Sequence, residues 1–149
     1  VLEVPTPLRQ RHLQEGADPD VARLTEHVVQ QAAHFGVLLE DNGQQCLFVD
    51  ERGQSISRRQ LFELLLGLER EEHPTGNVIW DSAVNDLFTL EIMARKMRTQ
   101  HAILGGAGDR LWFLESFPTC DAVLTLAKML QALSRGDTPC SELVALSAK

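Results

Sequence analysis

Apolar positions along this chain return in two rhythms, one helical and one extended. Val21, Leu24, Val28 and Ala32 recur at three- and four-residue intervals, which predicts a helix with one apolar face ending near His34. Asp18-Pro19 marks its start, with Asp as cap and Pro at the first helical position. The rhythm then changes. Val37–Leu39 and Cys46–Val49 are short apolar runs that predict strands. Asn42-Gly43 between them is a hairpin signal, because both residues tolerate positive φ.

Ser57-Arg-Arg-Gln60 spells a capping box and opens a helix whose apolar face is Leu61, Leu64, Leu65 and Leu68. After the turn His73-Pro-Thr-Gly76, Asn77–Trp80 predicts a strand, and Ser82–Met97 a helix with Leu87, Leu90, Ala94 and Met97 on one side. Ala102–Leu104 and Leu111–Leu114 read as strands on either side of the glycine-rich loop 105–108. Asp121–Leu133 is an amphipathic helix stopped by Gly136, and Thr138-Pro139 starts a short last helix. This alternation predicts an α/β fold: a single layered domain with a mixed, mostly parallel sheet flanked by helices, plus one β-hairpin at 37–49. Leu38, Leu47, Val49, Leu61, Leu65, Val78, Ile79, Ile103, Leu126 and Leu130 are the expected core. Residues 1–17 show little periodicity and read as a lead-in or linker, leaving 18–149 as the domain.

Composition narrows the function classes. A formal charge of −7 with scattered Lys and Arg provides no basic face, so nucleic acid is not an expected partner. No apolar run approaches the ~18 residues of a membrane span, so no membrane partner is expected either. Cys46, Cys120 and Cys140 are odd in number and lack C-x-x-C spacing, which fits a reducing cytoplasm. The five histidines show no ligand spacing. Gly105-Gly-Ala-Gly108 lacks the full spacing of either nucleotide-binding glycine motif. Asp50-Glu51 reads as an acidic hairpin turn, and Trp80 and Trp112 as core or subunit-contact residues.

Several fragments, in order, resemble the third domain of the phosphoglucomutase/phosphomannomutase (α-D-phosphohexomutase) family. Asp18-Pro19-Asp20-Val21 is similar to N-P-x-x-P-E-N-L. The strand–loop–strand around Glu40–Gln45 resembles the metal loop D-G-D-A/G-D-R, and Asp50-Glu51-Arg52-Gly53 with Gln60-Leu61 resembles D-E-x-G followed by D-Q-L. Ile103-Leu104-Gly105-Gly106 is similar to the start of the sugar-recognition loop L-G-G-E-x-S-G-H. Asp121-Ala-Val-Leu-Thr-Leu resembles D-G-L-L-T-A, and Pro139-Cys-Ser-Glu-Leu-Val resembles P-L-S-E-L-V.

The resemblance implies an intramolecular phosphotransferase family acting on hexose phosphates, with Mg²⁺ as cofactor. The departures imply that this domain is degenerate. Glu40, Asn42 and Gln44 stand where three metal-binding aspartates are expected, and Gln45 where an arginine is expected. Mg²⁺ demands octahedral oxygen ligands, commonly carboxylates, so no cofactor is expected. In the sugar loop Gly105 and Gly106 are kept, but Ala107, Asp109 and Arg110 replace the polar signature. Between Trp80 and Ile103 the chain is short by a strand and a helix, which exposes a sheet edge and makes self-association an expectation. No T-A-S-H-N-P-like phosphoserine run occurs in this sequence. The expected role is a scaffold or interaction module of a longer protein, its partners being that protein's other domains, a further protein or a sugar phosphate. The alternative is a fragment of an active hexose-phosphate mutase whose serine lies in another domain.

Overall fold

A computed structural model describes residues 19–72, 77–80, 102–105, 111–113 and 119–147. Helix α1 spans Pro19–Gln30, and β1 (Phe35–Leu39), β2 (Cys46–Asp50) and β3 (Ser55–Ile56) form an antiparallel sheet in that order. Helix α2 spans Arg58–Glu72. A second sheet follows, β4 (Asn77–Trp80), β5 (Ala102–Gly105), β6 (Leu111–Phe113) and β7 (Thr119–Cys120), again in sequential order. Helices α3 (Ala122–Leu133) and α4 (Cys140–Ser147) complete the described elements.

The α/β character is as the residue pattern predicts, but the parallel share is not. The described strands form two sheets, and only β4 and β5 run parallel. The remaining connections are too short for a crossover, so each strand must turn back on its neighbour. Strands β3 and β7 are two residues each, too short to carry a visible alternation.

Strand β2 is buried at all five positions because both faces of its sheet are covered. On one face Leu38, Leu47 and Val49 meet Val21 and Leu24 of α1. On the other Cys46, Phe48 and Ile56 join Leu61, Leu64 and Leu65 of α2, Met129 of α3, Val144 of α4, and Leu111 and Phe113 of β6. That shared cluster ties the second sheet to the first. Gly36 lets α1 lie close: a Cβ there would sit 2.6 Å from Val28 Cγ2.

Of the expected core, Leu38, Leu47, Val49, Leu61 and Leu65 are buried and Leu126 is half-buried. Leu130 is not: it is 48% exposed, because α3 is apolar nearly all round and its sequence does not single out one face. The side chains of Val78, Ile79 and Ile103, the helix expected at 82–97 and the lead-in 1–17 lie outside the described residues.

The capping box is present as spelled. Ser57 N donates to Gln60 Oε1 at 2.9 Å and Gln60 N to Ser57 Oγ at 3.3 Å. At α3, Asp121 Oδ1 accepts from Val123 N and Leu124 N at 2.8 and 2.9 Å. Helix α1 ends earlier than its periodicity predicts. Ala32 is not on the helix face but in the left-handed region, φ 48°, where Ala33 N reaches Val28 O and Ala32 N reaches Val29 O. This is a Schellman closure, which glycine usually provides because a Cβ is strained at positive φ. Ala32→Gly is therefore expected to stabilise the fold by about 1 kcal/mol in urea denaturation.

Acidic residues at the end of α2 face basic residues of α3 and the turn after it. Lys128 Nζ lies 2.6 Å from Glu69 Oε1, both side chains about nine-tenths buried, and 3.8 Å from Glu72. Arg135 pairs with Glu71 and, at 2.9 Å, with Glu72.

Candidate functional site

The loop Glu40–Gln45 is built by its own hydrogen bonds. Glu40 N donates to Gln45 O and Gly43 N to Glu40 O, both at 2.9 Å, which closes the hairpin with a four-residue tip. Gly43 takes the positive φ, 69°; Asn42 does not, although the hairpin reading allowed both. Instead, Asn42 Oδ1 accepts from Gln44 N at 2.8 Å, a local turn that commits the amide oxygen to the backbone. Glu40 is 4% exposed and its Oε2 has no hydrogen-bond partner among the described residues, whereas Asn42 and Gln44 are exposed. Among the described residues no group of three His, Cys, Asp or Glu is placed to hold a metal ion.

The loop leans on the start of α3. Gly43 O accepts from Ala122 N at 2.8 Å, and Gln44 O accepts from the Cys120 thiol at 2.9 Å. Two carbonyls of the hairpin tip are thus engaged by the β7–α3 junction, a role for which the sequence around Cys120 carries no local signal. Of the positions matched to the sugar loop, Gly105 ends β5, while Gly106, Ala107, Asp109 and Arg110 lie outside the described residues.

The Asp50–Gly53 turn has a structural duty. Asp50 is buried and its Oδ1 accepts from Arg52 N and Gln54 N at 3.0 and 2.8 Å. Glu51 reaches across to the first turn of α4, where its carboxylate accepts from Ser141 N at 3.0 Å and from Ser141 Oγ. Burial pushes the Glu51 carboxyl up, but the two Ser141 bonds and nearby Arg52 outweigh it and the net shift is downward. Glu51 and Ser141 both sit in fragments that resemble phosphohexomutase sequences, which is the signal in the sequence that could have singled out this pair.

The thiols offer little nucleophilic chemistry. Burial, against the pull of Arg58 and Thr125, pushes Cys46 up to about 12. Burial and then Glu51 and Asp50 push Cys140 to about 12. At neutral pH both stay protonated and inert.

No protein-family model matches the chain. Curated relatives do. A phosphoglucosamine mutase of Myxococcus xanthus is 27% identical over 146 residues, covering 83% of this chain and 31% of that protein. Phosphoglucosamine mutases of Acetivibrio thermocellus and Syntrophotalea carbinolica are 23% and 24% identical, covering 85% and 80% of this chain. Among solved structures, a phosphoglucomutase/phosphomannomutase family protein of Burkholderia thailandensis superposes with a TM-score of 0.66 at 16% identity, over 85% of this chain and 32% of that one. Over most of its own length the chain is similar in sequence to phosphoglucosamine mutases, and it shares the fold of the matching part of a phosphoglucomutase/phosphomannomutase family protein. It spans about a third of the length of the relatives it matches.

Proposed function

We propose that this domain is a degenerate phosphohexomutase unit without catalysis of its own, serving as a scaffold or interaction module within a longer protein. The observation that carries the reading is the state of the Glu40–Gln45 loop. One carboxylate stands among three matched ligand positions, and Asn42 Oδ1 already accepts from the backbone. Amides keep oxygens but remove the charge that a hard dication needs, so this donor set does not fit Mg²⁺. Phosphoryl transfer also requires a positioned nucleophile and charge stabilisation, and no phosphoserine-type run occurs in this sequence. The free state of all three cysteines supports placement in a reducing cytoplasm.

A second reading is that this chain is one domain of an active mutase whose serine lies elsewhere. The shared name of the three relatives, phosphoglucosamine mutase, favours it, with an amino-sugar phosphate as the substrate. The two readings part on whether a T-A-S-H-N-P-like run stands elsewhere in the same polypeptide, and a coupled assay on the 149-residue chain tests whether it has catalysis of its own. It is expected to show no turnover of glucose, mannose or glucosamine phosphates, and calorimetry no micromolar Mg²⁺ binding. Mg²⁺-dependent turnover abolished by Glu40→Ala would overturn the first reading.

A further inference from the structure

The resemblance at residues 40–45 implies a loop organised by a cation, which draws three carboxylates to one point. Here the loop's oxygens are drawn elsewhere. Gly43 O accepts at 2.8 Å from Ala122 N, the first N–H of α3, and Gln44 O accepts from the Cys120 thiol at 2.9 Å. The first bond also serves the helix. Asp121 Oδ1 takes the N–H groups of Val123 and Leu124, so with Gly43 the opening three N–H groups of α3 all have acceptors.

The side chains diverge as well. Glu40 is enclosed, whereas Asn42 and Gln44 stand in solvent. Asn42 Oδ1 is folded back on Gln44 N at 2.8 Å, a turn that aspartate makes as readily as asparagine. The bonds from Glu40 N to Gln45 O and from Gly43 N to Glu40 O fix the tip from within.

The geometry points to a loop organised by helix α3 in place of an ion: the β7–α3 junction holds the 40–45 tip as a latch, and the backbone so held is closed to a divalent cation even when its carboxylates are returned. Missing charge alone would also keep an ion out, but the two causes part on one point. A loop that lacks only carboxylates regains the ion when they are restored. A latched loop does not, because side chains at 40, 42 and 44 still diverge and the Gly43 and Gln44 carbonyls are already engaged. The inference deepens the degenerate-unit reading and rests on it. It also makes Cys120 a positioning residue, acting on the loop through a weak thiol donor.

The triple change Glu40→Asp, Asn42→Asp and Gln44→Asp returns the carboxylates that the family loop carries. With Mn²⁺ as the probe, calorimetry on this variant of the 149-residue chain should show no binding tighter than millimolar. Should the triple variant lose its circular dichroism spectrum, the double change Asn42→Asp with Gln44→Asp asks the same question. It alters only exposed positions and keeps the Glu40 carboxylate. Amide hydrogen exchange reads the latch independently of any metal. Cys120→Ala should speed exchange of the Gly43 amide about threefold, as expected for one bond from a weak donor, with the amides of α2 unchanged. Cys120→Ser keeps a donor and should restore the protection. Micromolar Mn²⁺ binding by a folded carboxylate variant, or a Gly43 amide indifferent to Cys120→Ala, would overturn the proposal. Mutase turnover by the wild-type chain would remove the non-catalytic reading and leave the exchange result standing. Mn²⁺ binding confined to the carboxylate variants would do the reverse.

Discussion

Replacing Lys128 with alanine is expected to destabilise the fold by about 3–5 kcal/mol, read as a lower urea midpoint at unchanged slope. The reason is the charge left behind. Glu69 is 6% exposed at the α2–α3 contact, and without the ammonium 2.6 Å away its carboxylate stays buried with its main compensation gone. The pair itself need not be a net gain, because bringing both ions out of water costs about as much as their attraction returns. The double change Lys128→Met with Glu69→Leu is therefore expected to lie within about 1–2 kcal/mol of wild type. A single variant as stable as the double one would show that Glu69 finds solvent in its absence. Arg135 offers the contrast: its side chain is 38% exposed, and Arg135→Ala should cost less than about 1 kcal/mol.

Phe48→Ala is expected to cost about 3–5 kcal/mol and to lower the melting temperature by roughly 10 °C. Phe48 is fully buried at the middle of β2, its ring 6.1 Å from that of Phe35, and it lies in the cluster where α2, α3, α4 and β6 converge. A cavity there cannot collapse from one side, because β2 is held by neighbours on both edges and covered on both faces. Phe48→Leu, which keeps most of the volume, should cost less than half as much. Equal losses for the two variants would mean that the site relaxes around the smaller side chain.

What the sequence disclosed follows from the range of the interactions involved. The capping box Ser57–Gln60 is legible because its partners lie three residues apart. The leucine face of α2 is legible because one polar side contrasts with it. Helix α3 offers no such contrast, so its spacing points Leu130 to the core although it is exposed. Ala32 continues the helical spacing of α1, and nothing local says that the chain turns left-handed there. Periodicity carries no strand orientation, so the parallel share among the described strands is not legible from it, although the short connections after β5 imply antiparallel returns. For the candidate site, the spelling of the 40–45 loop showed which ligands had changed. Its docking on Cys120 and Ala122 joins positions more than 70 residues apart and leaves no local trace.

The bond between Glu51 and Ser141 spans 90 positions, and that separation has a consequence for synthesis. At roughly 5–20 residues per second, the turn bearing Glu51 leaves the ribosome about 5–20 s before the serine that completes it. Throughout that interval the leucine surface of α2 on which α4 will settle is bare, and the carboxylate is solvated rather than capping a helix. The nascent domain must therefore hold its first sheet and α2 together without its last helix, and that waiting period is when a chaperone would find most to bind.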